Sequence, residues 1–256
     1  MAMVSSPEVL GVLAHDLRWT IVCLLVPGDL RTSELVSSTG QAPSLVSYHL
    51  ARLRDAGLVS VRRSTADGRD SYHALDLGAL GQAVADLATR IHPALIGPGP
   101  LPDPAGRAAD APRSGSQSQA PARVLFICSG NSARSPMAAG WLNHLGAGRA
   151  TARSAGITPR PLHPLAVAAM AEHGVDISGH QATRLDAWAA GDSFTRVITL
   201  CDRARENCGE LPAAPAAVHW SVPDPARAHP PDLDAFRATA RELRTRIGYL
   251  LPLLVS

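Results

Sequence analysis

In Cys128-Ser-Gly-Asn-Ser-Ala-Arg134-Ser135 a thiol and a guanidinium stand six residues apart across a run of small residues. Just before it, Arg123-Val-Leu-Phe-Ile is a short apolar strand, and just after it Pro136-Met-Ala-Ala opens a helix. In that context the backbone N–H groups of Ser129, Gly130, Asn131, Ser132 and Ala133 can converge on one tetrahedral oxyanion. Arg134 then grips two of its oxygens, and the helix N-terminus adds favourable potential. The same field favours a thiolate at Cys128, the form that attacks an electrophile at neutral pH. Asn131 and Ser135 shape the loop or cap the helix, and Ser135 is also placed to donate a hydrogen bond to the thiolate. A cysteine and an arginine at this spacing carry little on their own; strand, loop and helix together make one oxyanion-binding device.

The elements that position this device fill only part of the chain. With 256 residues, 46% hydrophobic and 18% charged, at a mean hydropathy of +0.03, the protein is soluble and folded, with room for two cores. Residues 96–122 read IGPGPLPDPAGRAADAPRSGSQSQAPA, have no periodic apolar face and form a linker. Residues 1–95 carry 8 Arg against 9 acidic residues, and residues 123–256 carry 14 Arg against 11. The overall charge of +2 does not by itself make a polyanion binder, and an all-arginine basic set without lysine carries no function. A tether of this length spans on the order of 30 Å, enough for the second unit to work without touching the first. Four cysteines without a leading signal segment indicate a reducing cytoplasm. No apolar stretch approaches the roughly 20 residues of a membrane span, and the apolar run from Ile247 to Val255 is a helix edge or tail.

In the first unit, Asp16 to Leu25 is an apolar helical run, and Thr32 is placed to cap a short helix that Gly40 ends. A further helix from Pro43 to Ala56 carries Val46, Leu50 and Leu53 on one side. Leu58 to Arg63 and Ser71 to Leu77 form a hairpin around Ala66-Asp67-Gly68-Arg69. Helix, turn, helix and hairpin make an α+β winged helix-turn-helix. Ser44, Ser47, Tyr48, His49 and Arg52 are candidates for base edges and the adjoining backbone, and Arg62, Arg63 and Arg69 for phosphates of double-stranded DNA. The bland alternative is a solvated helix face beside a charged hairpin.

Ser44-Leu-Val-Ser-Tyr-His-Leu-Ala-Arg-Leu-Arg-Asp-Ala-Gly-Leu-Val, with the wing that follows, resembles the ArsR-type metalloregulators, dimeric winged-helix repressors. The resemblance covers residues 5–95 and implies a homodimer through the Pro7 to Ala14 region and Leu80 to Ile91. Arsenic-responsive members of that family cluster cysteines before the recognition helix. Thr32-Ser-Glu-Leu-Val has none, and Cys23, inside an apolar helical run, reads as a buried small hydrophobe. No metal site is assigned.

The second unit resembles the low-molecular-weight tyrosine phosphatase superfamily through the Cys128 loop. The likeness continues in Ser154-Ala-Gly-Ile, in His173-Gly-Val-Asp-Ile-Ser-Gly-His and in Val218-His-Trp-Ser-Val-Pro-Asp-Pro. That implies an α/β domain with a central parallel sheet, strands at Val124 to Ile127 and Val197 to Leu200, and Asp224 of Asp224-Pro225 as general acid. Thr199-Leu-Cys201-Asp-Arg-Ala-Arg-Glu-Asn-Cys208 is similar to the segment of the superfamily's thioredoxin-coupled arsenate reductases that holds the second and third redox cysteines. The resemblance implies a relay in which Cys128 attacks arsenate, Cys201 attacks Cys128 and releases arsenite, and Cys208 takes over the disulfide. Thioredoxin or another thiol is then the reductant, with no bound cofactor. Ala133 stands where some relatives have a further cysteine, and Ala226 where tyrosine phosphatases usually have an aromatic residue. The alternatives are a protein tyrosine phosphatase fused to the regulator, or an oxyanion-responsive transcription factor without turnover.

Overall fold

The structure, a computed structural model, describes residues 8–66, 68–92, 121–188, 193–207, 216–227 and 230–254. The first unit runs α1 (Glu8–Leu13), α2 (Asp16–Leu25), β1 (Leu30–Arg31), α3 (Thr32–Thr39), α4 (Pro43–Asp55), β2 (Val59–Arg63), β3 (Ser71–Leu75) and α5 (Leu77–Ile91). Its three strands pair antiparallel in the order β1-β3-β2, with Val59 opposite Leu75 and Arg63 opposite Ser71. Pro43 starts α4, where a missing N–H costs nothing, and Val46, Leu50 and Leu53 are buried in a core with Ile21 and Leu35. The winged helix-turn-helix is therefore present. Two details differ from the sequence reading. Arg31, not Thr32, is the N-cap residue of α3, its N–H donating to Glu34 Oε2 at 2.8 Å. Cys23 is exposed, because Ile21, Val22 and Leu25 define the buried side of α2 and position 23 falls off it.

The second unit runs β4 (Ala122–Cys128), α6 (Arg134–Gly146), β5 (Ala150–Gly156), α7 (Pro164–Ala171), β6 (Arg196–Thr199), α8 (Asp202–Asn207), β7 (Ala216–His219) and α9 (Leu233–Leu254). The four strands are parallel, in the order β5-β4-β6-β7. Central β4 is covered on both faces, which is why Val124, Leu125, Phe126 and Ile127 read as an unbroken apolar run rather than an alternating one. The strand takes up Ala122, assigned to the linker from sequence, and pairs it with Ala150. The apolar C-terminal run is the last part of α9, its Ile247 and Leu250 buried and Pro252 inside the helix. No helix of the described residues is long and apolar enough to cross a membrane.

The two units are in contact, although a linker of the length read from the sequence leaves room for them to stand apart. Asp29 is buried between them: its N–H donates to the carbonyl oxygen of His219 at 2.7 Å. Its carboxylate receives Arg246 Nη1 and Nη2 at 2.8 and 3.1 Å and the Ser221 N–H at 2.6 Å. A Cβ at Gly28 would stand 2.7 Å from that His219 oxygen, so only glycine lets the two backbones approach this closely. Arg62 Nη2 meets Glu242 at 3.0 Å and Arg62 Nη1 donates to the Ser221 carbonyl, while Arg205 reaches back to Glu34 at 2.9 Å.

Candidate active site

Cys128 ends β4 at the C-terminal edge of the sheet, where open α/β folds bind ligands. The chain turns through Ser129 to Ala133 and enters α6 at Arg134. The turn depends on Asn131, which is fully buried with φ of +47°, a conformation that asparagine tolerates better than most residues. Asn131 Nδ2 donates to Ser135 Oγ at 2.9 Å and to Ser154 Oγ at 2.8 Å. Its Oδ1 accepts the Thr183 N–H at 2.8 Å and lies 3.1 Å from His180 Nε2. Burial pushes the His180 imidazole below its ordinary range, so at pH 7 the ring is neutral and Nε2 carries the hydrogen. The loop also packs against the end of β5: a Cβ at Gly156 would fall 2.8 Å from the Asn131 nitrogen.

Around the sulfur, Asn131 N–H points at Cys128 Sγ from 3.2 Å and Ser135 Oγ stands 3.0 Å away. Because Asn131 occupies a lone pair of Ser135, the Ser135 hydrogen is directed to the sulfur or to the Ala155 carbonyl 3.3 Å away, and a thiolate takes it. Cys128 opens into a cavity of about 590 Å³ lined by Ser129, Gly130, Ser132, Ala133 and Arg134. Arg134 is 6% exposed, donates to the Val222 carbonyl at 3.2 Å and pairs with Asp224 at 2.9 Å. Burial works against its charge, but the negative groups around it, Asp224 and Asp202 among them, outweigh that and push its pKa up, so the guanidinium remains cationic.

Cys201 lies in the same cavity, buried, with its sulfur 3.2 Å from Ser129 Oγ and receiving the Ala204 N–H at 3.4 Å. Burial pushes its thiol up against the pull of Arg134, which keeps it protonated at neutral pH. Next to it, Asp202 is held by Thr65, His219 and Ser221, and these bonds bring its carboxyl down to about 2 despite burial. Cys208 lies outside the described residues.

The structure thus brings Cys128, Arg134, Cys201, Asp224 and the 129–133 loop to one cavity, with Asn131 and Ser135 beneath it. The sequence reading missed Arg160, Arg203 and Arg227, three further cations on its walls, and Thr65, which enters from the first unit. None of these sits in a local pattern that points at the loop. No aromatic residue is among the described residues lining the cavity, and Ala226 is among those that do.

On the first unit, Ser44, Ser47, Tyr48, Arg52, Arg63 and Arg69 are exposed. His49 departs from that face. It is buried, 3.5 Å from Arg18 and packed on the His15 ring, because it shares the core stripe of Val46 and Leu53. Arg62 is half-buried and engaged by Ser221 and Glu242 rather than standing clear.

Residues 123–255 match the family model described as low molecular weight phosphotyrosine protein phosphatase. The chain belongs to this family. In the first unit, residues 15–61 match the model of bacterial regulatory proteins of the arsR family, so this family member is fused to a helix-turn-helix unit. A protein of Staphylococcus aureus (strain Newman) described as arsenate reductase is 42% identical over 103 residues, 40% of this chain and 78% of that protein. Arsenate reductase 2 of Staphylococcus epidermidis is 40% identical over the same shares. Among solved structures, an arsenate reductase in the phosphate binding state is 33% identical, covering 52% of this chain and 98% of that one, with a TM-score of 0.45. A low molecular weight protein tyrosine phosphatase of T. tengcongensis is 30% identical, covering 52% and 99%, also with a TM-score of 0.45.

Proposed function

We propose that the second domain reduces arsenate to arsenite by a relay of Cys128, Cys201 and Cys208. The observation that carries this is the placement of Cys201, a second thiol facing the cavity from beside Ser129 of the oxyanion loop. Hydrolysis of a phosphate ester has no use for it. Reduction of arsenic by two electrons needs a second sulfur that can form a disulfide with the first.

In the relay, Cys128 Sγ attacks arsenic held by the loop N–H groups and Arg134, forming an S–As bond as one oxygen leaves. Asp224, at the cavity mouth, supplies the one proton that lets a departing As–OH hydroxyl leave as water. Cys201 then attacks Cys128 Sγ as its thiol proton passes to an oxygen of the departing arsenic group. The S–S bond forms, the S–As pair passes to arsenic, and arsenite departs. Cys208 attacks Cys201 and releases the Cys128 thiolate, and the resulting disulfide is reduced by thioredoxin or another thiol in the cytoplasm. Arg160, Arg203 and Arg227 raise the local concentration of a small dianion. Ala226 in place of a ring, and the lack of aromatics among the described residues of the walls, fit such an ion better than phosphotyrosine. The first domain serves as a dimeric regulator that binds double-stranded DNA through the exposed side of α4 and the wing.

The test is arsenate turnover with a thioredoxin system beside aryl-phosphate hydrolysis. Cys201→Ser should stop turnover after at most one arsenate per chain and leave ester hydrolysis in place. Full arsenate turnover in that variant would return the domain to a phosphatase. Oxyanion-dependent release from DNA in the Cys201→Ser/Cys208→Ser protein, without any turnover by wild type, would make it a sensor.

A further inference from the structure

α8 is a helix of six residues, too short to hold itself in water, and it begins immediately after Cys201. Three of its side chains, Asp202, Arg205 and Glu206, are held from the other domain. Thr65 donates to Asp202 Oδ2 twice, through N–H at 2.7 Å and Oγ1 at 2.9 Å. Ser64 Oγ donates to Glu206 Oε1 at 2.7 Å, and Tyr72 O–H reaches the same oxygen at 3.1 Å. Arg205 pairs with Glu34 of α3 at 2.9 Å. Ser64, Thr65 and Tyr72 all belong to the wing, whose Arg62 is turned onto Glu242 and the Ser221 carbonyl.

We propose that the wing is a strap on the relay segment: Ser64 and Thr65 are positioning residues that keep α8 wound and Cys201 buried, and a wing engaged on DNA releases them. The proposal rests on the relay assigned above for its biological meaning, not for its geometry. Positions 201 and 208 are seven residues apart, an advance of about 10.5 Å along a helix, while a disulfide joins Cα atoms roughly 4.4–6.8 Å apart. The Cys201–Cys208 bond of the relay proposed above would require the helical path through α8 to unwind, and unwinding would break the Thr65–Asp202 and Ser64–Glu206 contacts. In the other direction, Arg62 cannot reach a phosphate while it is bonded to Glu242. Strapped α8 and a DNA-bound wing are alternatives, and by linkage each state weakens the other to the same degree. The first domain so gains a second role, as part of the reductase wall.

The experiment reads Cys201 directly, by its rate of alkylation with iodoacetamide in the reduced full-length protein, located by mass spectrometry. Wild type should protect Cys201, and Ser64→Ala/Thr65→Val should raise its rate about tenfold or more, the factor expected for losing a hydrogen bond to a charged group. Restoring Thr65→Ser on the wild-type Ser64 background should return protection, which a merely loosened fold would not. A 30-base-pair duplex at low salt, added to wild type, should raise Cys201 alkylation several-fold and leave Cys23 unchanged. That arm needs no variant to fold. Cys201 rates indifferent to both the double variant and saturating duplex overturn the strap. Arsenate turnover measured on the same wild-type preparation separates this failure from failure of the reductase reading, since alkylation of Cys201 does not require turnover.

Discussion

Asn131→Ala is the substitution whose cost is best defined by the site. The Asn131 side chain is fully buried and makes four hydrogen bonds, to Ser135, Ser154, His180 and Thr183. At about 1 kcal/mol net per bond, their loss amounts to ~4 kcal/mol, and the Thr183 N–H and Ser154 hydroxyl lose a partner inside the protein. The φ of +47° adds about 1 kcal/mol for alanine that asparagine largely avoids. Against a domain stability of about 5–15 kcal/mol this is severe but leaves a folded population. Asn131→Gly removes the same bonds and accepts the backbone angle, so it should be the more stable of the two by about 1 kcal/mol. Urea unfolding followed by the fluorescence of buried Trp141 and Trp220 measures both differences. Arsenate turnover of the folded fraction should fall with either variant, since Ser135 is no longer oriented toward Cys128. An alanine variant within 1 kcal/mol of wild type would refute the account of Asn131 as the brace of the loop, and a glycine variant no better than alanine would refute the role given to φ.

Arg134→Lys should lower kcat/KM for arsenate by about 100-fold, because one ammonium cannot span the Val222 carbonyl and Asp224 while facing an oxyanion; a loss under threefold would remove the bidentate argument. His73, buried beside Arg54, is pushed down to about 4, so its ring should titrate near there by NMR rather than near 6.5. Because the folded pKa is the lower one, the stability it contributes is complete above pH 6.5 and lost as pH falls from there through about 4; a midpoint above 6 contradicts this. Asp29→Ala takes away the buried partner of Arg246 and leaves it Glu242 at 3.1 Å, so it should cost about 1.5–3 kcal/mol, with small-angle scattering showing the two domains drawn apart; an unchanged radius of gyration denies Asp29 its place as anchor.

The oxyanion loop was legible because its working atoms are contiguous: Cys128 to Ser135 fold onto themselves, so strand, turn and helix signals in one short stretch describe the whole cradle. Cys201 was legible through likeness to relatives, and its approach to Ser129 spans 72 residues that no local pattern bridges. Thr65 was invisible for the same reason, standing 137 residues from Asp202 in a stretch that reads only as a turn. His49 is a different kind of miss. Its position three after Val46 and four before Leu53 places it on the buried stripe, yet its polar type drew it to the DNA face. At Cys23 the apolar neighbours masked the opposite phase. Periodicity was the better guide than residue type in both helices.

The interface itself divides by how its charges are sheltered. Asp29 and Arg246 have side chains only 2% and 15% exposed, and Gly28 brings backbone against backbone there, so separation at this end strips a carboxylate of three donors at once. Arg62 with Glu242 and Arg205 with Glu34 are between about a fifth and a third exposed, where an ion pair is worth about 0–1 kcal/mol. Asp202 keeps Ser221 Oγ at 2.7 Å and His219 Nε2 at 3.1 Å when Thr65 leaves, so the wing departs without orphaning a buried charge. The domains are therefore pinned at Asp29 and releasable at the wing. In the strap proposed above, pinning at Asp29 keeps the hairpin within reach of α8, so that one short contact can be remade after each release.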